Sequence, residues 1–390
     1  MLDNGKAEGA QKIKRFEKYC LKDIATVSQG FTFSRLYQGK KNLKWNYFKV
    51  ADIGLNPNSK YLTNAINTIS DITMEEIGAL PFSKGSIVFP RVGAALFNNN
   101  KKILAQDGVV DDNVLVLTVT DTSKCWYEFL YYYLQGIPLA KWCNSGLVPV
   151  INTKTVLSQM VFLPPLPEQQ KISAILSTQD KVIELKEKLL VQKQQQKRYL
   201  MQQLLTGKKR LPGFNGEWQF AKLENVSKYS ASAASFKTYE SHLGCGPYPV
   251  YDATGCFGNI DFYENEQPYI SIVKDGAGAG RIALCKAKSS TIGTLGCIFA
   301  NDIDLLYLFY WMSAVDFQIY SNGSTIPHVY YKDYKNVQVH LPCRLEQEAI
   351  VEILSTADHE IKLLQKSIEA EKQKKKALMQ LLITGKVRVK

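Results

Sequence analysis

Apolar residues recur every three or four positions along two long stretches of this chain. That spacing places them on one face of an α-helix, close to the heptad spacing of a coiled coil. Each stretch is therefore predicted to form one amphipathic helix of about 40 residues, or about 60 Å at about 1.5 Å per residue. The residues of this pattern are Ile172, Ile175, Leu176, Val182, Ile183, Leu189, Leu190, Leu200 and Leu204 in the first stretch and Ile350, Ile353, Leu354, Ile361, Leu364, Ile368, Leu378 and Leu382 in the second.

The ends of both stretches carry residues that start or stop helices. Pro167 suits a first helical turn, and Glu168 and Glu346 would face the positive end of the helix dipole. Gly207 and Gly385 follow the last apolar positions, where a glycine in the left-handed conformation ends many helices. These signals predict helix ends at matching places in the two stretches.

Outside the two helices the pattern changes to short β-type runs separated by Gly, Pro and Asn. Such runs predict α+β domains with mixed sheets. We divide the chain into a first globular domain (1–160), a first helical spacer (161–210), a second globular domain (211–340) and a second helical spacer (341–390). The clearest β-type runs are GSIVFPRVG (85–93), DNVLVLTVT (112–120), PYISIVKDG (268–276) and NVQVHLP (336–342).

The two helical stretches are copies of each other at an offset of 178 residues. Residues 163–210 align with 341–388 without a gap, and 23 of the 48 positions are identical. The same offset places Pro149 on Pro327. This duplication of half a protein predicts a pseudo-twofold repeat, in which the helices form a long antiparallel two-helix coiled coil that joins two mixed-sheet domains.

Positive charge is concentrated in the first domain and in the helices. The chain has a formal net charge of +12 and an isoelectric point near 9.1. Residues 1–160 carry 19 Lys and Arg against 13 Asp and Glu, whereas residues 211–344 carry 10 against 12. A basic chain favours an anionic partner such as nucleic acid. Similar helices with dissimilar domains indicate one scaffold that holds two different readers.

Nothing in the sequence indicates export, a membrane span or a disulfide framework. The eight cysteines form no C-x-x-C pair, which favours buried, reduced thiols in a cytoplasmic protein. Residues 1–19 lack the apolar core of a signal peptide. The most apolar stretch, residues 302–315, is too short to cross a bilayer. We therefore expect a cytoplasmic location and no membrane partner.

The sequence also lacks a recognisable catalytic motif. It has no phosphate-binding loop with a terminal Lys-Ser or Lys-Thr, and the glycines of KDGAGAGR (274–281) are better explained as a turn. It has no Asp/Asn-Pro-Pro-aromatic tetrapeptide, no G-x-S-x-G elbow and no His and Cys at zinc-ligand spacing. We expect a chain that is not an enzyme and that binds no cofactor or metal itself.

The paired motifs LPPLPEQQKISAILST…LLTGK and LPCRLEQEAIVEILST…LITGK strongly resemble the two conserved regions of type I restriction–modification specificity (S) subunits. The order of domain, helix, domain and helix is also similar to that family. The second copy departs from the first because Cys343 and Leu345 replace Pro165 and Pro167, which concerns the geometry at the helix start.

The resemblance implies a non-catalytic subunit that reads a bipartite, asymmetric site in double-stranded DNA, with one half-site for each target recognition domain. It implies two methyltransferase (M) subunits as partners, which carry S-adenosylmethionine and modify adenine. It also implies two motor-nuclease (R) subunits, which use ATP and Mg. Two other interpretations stay open: the recognition subunit of another bipartite restriction system, and a coiled-coil adaptor without DNA affinity.

Cations and amides near the ends of β-type runs are candidate DNA contacts. Arg91 in FPRVG and Lys274 in IVKDG occupy equivalent positions at the end of a run. Arg and Asn can bond guanine and adenine edges, whereas Lys more often binds phosphate. Further candidates downstream of these two are Asn99, Lys101 and Lys102 in the first domain and Arg281 in the second.

A second candidate patch combines basic and aromatic residues in the first domain. Its cations are interleaved with Tyr37 and Trp45, which could stack against a nucleic acid. The tyrosine clusters at 131–133 and 330–331 are expected to serve mainly the domain core and its rim. The cations of the patch are Arg35, Lys40, Lys41 and Lys44.

Overall fold

The computed structural model describes residues 16–55, 59–144, 146, 148–323 and 326–389. The N-terminal residues in which we found no signal peptide lie almost wholly outside these ranges. Internal contacts divide the chain into two units: unit 1 is Met1–Lys188 with Lys366–Lys390, and unit 2 is Leu189–Gln365. Each unit therefore holds one globular domain and a part of each long helix, and the division differs from the four segments drawn from the sequence.

The elements up to the first long helix alternate short strands with short helices. They are β1 (Glu17–Cys20), β2 (Ala25–Gln29), β3 (Trp45–Phe48), α1 (Val50–Leu55), β4 (Tyr61–Leu62), β5 (Asn67–Ile69), α2 (Asp71–Glu76), β6 (Ile87–Pro90), β7 (Lys102–Leu104), β8 (Val109–Val110), β9 (Val114–Val119), α3 (Tyr127–Gln135), α4 (Thr153–Leu157), β10 (Met160–Leu163) and α5 (Leu166–Leu204).

The elements after the first long helix follow a similar order. They are β11 (Gln219–Lys222), α6 (Leu223–Val226), β12 (Ser227–Ser230), α7 (Phe236–Glu240), β13 (Tyr248–Asp252), β14 (Gly255–Ile260), β15 (Tyr269–Val273), β16 (Ile282–Cys285), β17 (Ser290–Thr291), β18 (Leu295–Ala300), α8 (Leu305–Ser313), β19 (Ser321–Asn322), β20 (His328–Val329), α9 (Tyr331–Tyr334), β21 (Gln338–Leu341) and α10 (Arg344–Leu382).

The two globular domains share the order of four strands in the main sheet, to which unit 1 adds the parallel strand β4. The main sheet of unit 1 has the order β2-β9-β6-β7-β4, and that of unit 2 has the order β12-β18-β15-β16. A second sheet has the order β5-β3-β8 in unit 1 and β14-β13-β17 in unit 2. In each second sheet one neighbour of the central strand is antiparallel and the other parallel. The predicted α+β class with mixed sheets is confirmed, and the fold itself is duplicated.

A pair of antiparallel strands joins each domain to its helix. Strand β1 pairs with β10 in unit 1, and β11 pairs with β21 in unit 2. Strands β10 and β21 therefore belong to the domains rather than to the helical spacers. The domain border drawn after residue 160 falls inside β10.

Both long helices have the predicted extent. Helices α5 and α10 contain 39 residues each, and their first residues, Leu166 and Arg344, are equivalent at the repeat offset of 178. The loss of two prolines from the second copy therefore does not move the helix start. Gly207 and Gly385 have φ angles of 69° and 71°, which confirms the predicted left-handed caps.

Each domain packs against the start of one helix and the end of the other. In unit 1, Ile172 and Leu176 of α5 share a core with Leu382 of α10. In unit 2, Leu204 of α5 shares a core with Ile350 of α10, among others. The two helices are therefore antiparallel within each unit. All eight cysteines are free thiols, as predicted, although only Cys125, Cys285 and Cys297 are buried.

Candidate nucleic-acid interface

Arg91 and Lys274 occupy matching positions at the ends of central strands. Arg91 directly follows β6, and Lys274 directly follows β15, the equivalent strand of the unit 2 sheet. The carbonyl oxygen of Arg91 accepts a hydrogen bond from the Ile151 N–H at 2.9 Å, and that of Lys274 accepts one from the Val329 N–H at 2.8 Å. Each cation is thus fixed between a central strand and the segment that leads out of the domain.

The first domain forms a hollow of about 510 Å3 beside this strand end. Arg35, Lys49 and Asp112 line it together with Val92, the residue after Arg91. The Arg91 guanidinium donates to the carbonyl oxygen of Asp112 at 3.4 Å. The structure therefore places Arg35 and the strand end of Arg91 around one hollow. The Arg35 guanidinium in the hollow and the Arg91 guanidinium at the adjoining strand end suit guanine edges or phosphates, and their contact with DNA stays a prediction.

In the basic and aromatic patch, lysine ammonium groups lie over aromatic rings. The ammonium of Lys40 lies 5.5 Å from the Tyr37 ring centre, and that of Lys44 lies 5.0 Å from the Trp45 ring centre. Lys44 also pairs with Asp71 at 2.8 Å, and hydrogen bonds from Lys44 and Trp45 lower the pKa of Asp71. Part of the charge of the patch is thus neutralised internally. Its exposed cations are Arg35, Lys40, Lys41 and Lys44.

In the second domain, the segment after β15 is a compact turn. Gly276 and Gly280 have φ angles of 89° and 86°, and the Gly280 N–H donates to the carbonyl oxygen of Val273 at 2.8 Å. The exposed Arg281 side chain donates to the carbonyl oxygen of Ala253 at 3.2 Å. The Val273 N–H also donates to the carbonyl oxygen of Arg281 at 2.8 Å, so the turn places Arg281 in the same strand-end region as Lys274.

Beside this turn lies a group of residues that sequence reasoning missed. The Nδ1 atom of His328 lies 2.6 Å from Oδ1 of Asp275. The His328 ring stacks on Tyr330 with centres 5.8 Å apart and planes 4° apart, and the Lys332 ammonium lies 5.4 Å from the Tyr330 ring centre. The sequence did contain a signal for this group, because Lys332 aligns with Lys154 of the first domain at the repeat offset of 178. Asp275 and Lys332 add an acceptor and a cation to this strand end.

The structure corrects three candidates, Asn99, Lys101 and Lys102, which serve the interior of unit 1. Both lysine side chains are buried. The Lys101 ammonium donates to Oδ1 of Asn99 at 2.6 Å and to the carbonyl oxygen of Ile137 at 2.9 Å, and that of Lys102 donates to the Ser59 carbonyl. Burial lowers the pKa of Lys101 to about 7 and that of Lys102 to about 8. Their placement at and just before the start of an internal strand, β7, explains why the two lysines do not lie on the exposed surface of the domain.

Over the described ranges, which omit 1–15, 56–58, 145, 147, 324–325 and 390, no three His, Cys, Asp or Glu residues are grouped closely enough to hold a metal ion. Within the same ranges, no helix has the length and apolar character needed to span a membrane. The strand ends described above remain the candidate functional surfaces.

Comparison with known proteins divides the chain into the same two halves. The sequence model of the type I restriction modification DNA specificity domain matches twice, over residues 13–192 and 215–372. Each match begins with one globular domain and extends into the helix that follows it. The two matches of the family model therefore follow the same division into two halves as the fold.

Individual proteins resemble the chain over nearly its full length. It is 24% identical to the type I restriction enzyme MjaX specificity subunit of Methanocaldococcus jannaschii, over 95% of this chain and 93% of that protein. It is 26% identical to the MjaVIII specificity subunit of the same organism, over 62% and 65%.

Solved structures share the fold. The S subunit of a type I restriction–modification system from M. genitalium matches with a TM-score of 0.62 and 14% identity, over 96% of this chain and 98% of that one. A chain from a study of complex assembly and conformational transition in the type I R-M system matches with a TM-score of 0.58 and 14% identity, over the same shares. With both specificity-domain matches along its length, the chain belongs to the family of type I restriction–modification DNA specificity subunits.

Proposed function

We propose that the chain reads a bipartite, asymmetric DNA site, with one half-site bound by the domain of each unit. The observation that carries this proposal is the contrast at the equivalent strand ends. The two domains share a four-strand frame, yet one strand end presents Arg91 beside a hollow lined by Arg35, and the other presents Lys274 with Asp275 and Lys332. Different donors and acceptors on the same frame would select different bases.

The family membership supports a place in a restriction–modification complex, in which this chain is the recognition component and not the catalytic one. We expect it to bind two M subunits, because both units present a helix pair of closely similar sequence, and two R subunits through the assembled complex. S-adenosylmethionine, ATP and Mg are expected on those partners. A cytoplasmic location follows from a DNA substrate and those partners.

The proposal is tested by the methylated sequence motif of a host that carries the complex. Residues 16–163 of this chain, which include all of β10, are exchanged for the equivalent domain of another family member, and the M subunit is left unchanged. One half of the motif should change and the other half should stay the same. The reciprocal exchange of residues 219–341, which include all of β21, serves as the control, and it should alter the other half only. Changes in both halves from one exchange would contradict independent reading.

A coiled-coil adaptor without DNA affinity is distinguished by titration with salt. Phosphate contacts release counterions, so the logarithm of the binding constant should fall linearly with the logarithm of salt concentration. A duplex that contains the motif should bind with that dependence, and the purified chain alone should neither methylate nor cleave it. No binding at low salt would favour the adaptor. The recognition subunit of another bipartite restriction system would bind DNA but would not support methylation by a type I M subunit.

A further inference from the structure

A lysine-lined cavity of about 180 Å3 lies inside unit 1. It is bordered by α3, by the facing parts of α5 and α10 and by the turn before β7. A single water needs only about 10–15 Å3, so the cavity could hold a polyatomic ion. The ionisable side chains around it, apart from Tyr131, are Lys60, Lys101, Lys372, Lys375 and Asp180.

The floor of the cavity contains buried cations. Lys60 is 7% exposed and pairs with Glu128 at 3.0 Å, but Lys101 is 2% exposed. In the part of the chain that the structure describes, no Asp or Glu lies within ion-pair distance of Lys101. Two of its three N–H donors reach Asn99 and Ile137, which leaves one for the cavity. A buried ammonium without a carboxylate is costly unless an anion accompanies it.

The rim of the cavity also carries net positive charge. Lys375 pairs with Asp180 at 2.5 Å, and Asp180 accepts a second hydrogen bond from the Tyr132 hydroxyl at 2.6 Å. The Lys372 side chain is 40% exposed and pairs at 2.7 Å with Glu187, which does not line the cavity. Lys372 therefore connects the buried floor with solvent and gives an anion a route of access.

Unit 2 shows which of these residues the scaffold needs. It keeps the same triad, because Lys197 pairs with Asp358 and Asp358 accepts from the Tyr310 hydroxyl at 2.8 Å. It lacks the surrounding lysines, because Gln194 aligns with Lys372 at the repeat offset. The triad is thus part of the common packing of helix and domain.

The strand that borders the cavity differs in the same way. Lys102 of β7 faces Val88 of β6, and in the matching sheet of unit 2 the facing pair is Ala283 and Ser271. One residue earlier, Ile282 stands where unit 1 has Lys101. The additional lysines of unit 1 are therefore not required by this fold.

We propose that this cavity binds a phosphate group. A tetrahedral phosphate anion can accept from the free donor of Lys101 and from Lys372 and Lys375 together, and charge-assisted hydrogen bonds in a partly buried site are strong. The group could come from the DNA backbone or from inorganic phosphate. The proposal does not depend on sequence reading, which is assigned to the strand ends.

Calorimetric titration of the full-length chain with inorganic phosphate, at constant ionic strength with chloride, tests the proposal. Saturable binding at one site is expected. Lys372→Gln copies the residue of unit 2 and should weaken phosphate binding about tenfold, and Lys101→Met should weaken it further. Lys193→Gln is the matched control, because Lys193 pairs with Glu360 across the helices of unit 2 at 2.7 Å. It should leave the affinity unchanged.

Two experimental arms separate the sources of the group. If the backbone supplies it, a duplex containing the motif should displace inorganic phosphate, and Lys372→Gln should reduce the salt slope of DNA binding by about one. If inorganic phosphate is the ligand, phosphate and duplex should bind together. The proposal is overturned by phosphate affinity that Lys372→Gln and Lys101→Met leave unchanged. It is also overturned if phosphate does not bind and Lys372→Gln leaves the salt slope intact. Because Lys372 is exposed, Lys372→Gln keeps the test decisive even if Lys101→Met does not fold.

Discussion

Units 1 and 2 repeat their residues where helix meets domain and diverge at the ends of the central strands. Gln169 is buried and accepts from the Trp126 N–H, and its repeat counterpart Gln347 accepts from the Asp304 N–H at the same offset. Both glutamines also donate to a proline carbonyl five residues earlier in the chain. Buried amides fully satisfied in this way hold the helix start in place, and a duplicated sequence keeps them.

In each unit, an arginine beyond the end of one long helix binds a glutamate at the start of the other, and we call this contact the joint. The joint is also repeated between the units, with one variation. The Arg388 guanidinium binds Glu168 and lies 5.1 Å from the centre of the Phe16 ring. In unit 2, Arg210 binds Glu346 in the same way, but its aromatic partner is a tryptophan. The arginine of the first joint lowers the pKa of the Glu168 carboxyl. The comparison teaches that repeated residues mark the scaffold, whereas the diverged strand ends are the surfaces to which we assign recognition as a proposal.

The largest expected effect concerns the diverged strand ends. Arg91→Ala should weaken binding of the cognate duplex by about 1–3 kcal/mol and relax specificity at one position of one half-site. Lys274→Ala should weaken binding more evenly across sequences and reduce the salt slope by about one, because lysine favours phosphate. Binding to duplexes with single base-pair changes, at several salt concentrations, measures both effects. A uniform loss in Arg91→Ala would remove arginine from base reading.

The same contrast explains which parts of the molecule the sequence predicted. The helix bounds and the caps follow from repeated motifs, and the equivalence of Arg91 and Lys274 follows from their places at the end of a β-type run. The structure confirms all three. The interior positions of Lys101 and Lys102 were not predictable, because the second domain has no sequence counterpart of NNNKK and a lysine pair normally indicates a surface. The sheet partners that bury them come from distant segments.

The next effect concerns the triad that both units share. Tyr132→Phe should destabilise unit 1 by about 2 kcal/mol, because it removes a hydrogen bond to a charged carboxylate. Tyr310→Phe should cost roughly half as much. The Asp180 side chain is 16% exposed, whereas that of Asp358 is 42% exposed and can bind water instead. Hydrogen exchange under native conditions, followed peptide by peptide in α3 and α8, measures each unit separately. Equal losses would mean that burial of the carboxylate does not matter.

The buried lysine of unit 1 predicts a pH dependence that unit 2 lacks. The pKa of Lys101 is about 7 in the folded chain and about 10.5 when unfolded. Between these values the unfolded state binds one more proton, so the free energy of unfolding rises with pH by up to about 1.4 kcal/mol per unit. The destabilising cost of burying the charged Lys101 ammonium is therefore largest below pH 7 and disappears above pH 10.5. The neighbouring Lys102, with its pKa of about 8, acts in the same direction.

Urea denaturation of the wild type and of Lys101→Met, at pH 7.5 and pH 8.5 in a buffer without phosphate, isolates this contribution. The wild type should gain about 1 kcal/mol more than the variant over this interval. Because other groups titrate equally in both proteins, the difference belongs to residue 101 and its neighbours. The same gain in both proteins would show that Lys101 keeps its ordinary affinity for protons after folding.

The smallest effect concerns the glycine caps. The two units differ there in how closely an aromatic ring approaches the glycine. Both Gly207 and Gly385 have positive φ angles near 70°, so replacement by alanine should cost about 1 kcal/mol in backbone energy in either unit. A Cβ on Gly207 would lie 3.3 Å from the Trp218 ring, whereas one on Gly385 would lie 3.0 Å from the Phe16 ring. Gly385→Ala should therefore cost more than Gly207→Ala.

The control for this pair is Gly54→Ala. Gly54 lies in α1 with ordinary backbone angles and open space around its Cα, so alanine there should stabilise the chain by about 0.5–1 kcal/mol. Gly385→Asn separates the two costs, since asparagine tolerates the left-handed conformation but keeps the contact with Phe16. If Gly385→Asn is as stable as wild type, backbone strain alone sets the cost. If it matches Gly385→Ala, the closeness of the Phe16 ring sets it, and the two joints differ through their aromatic partners.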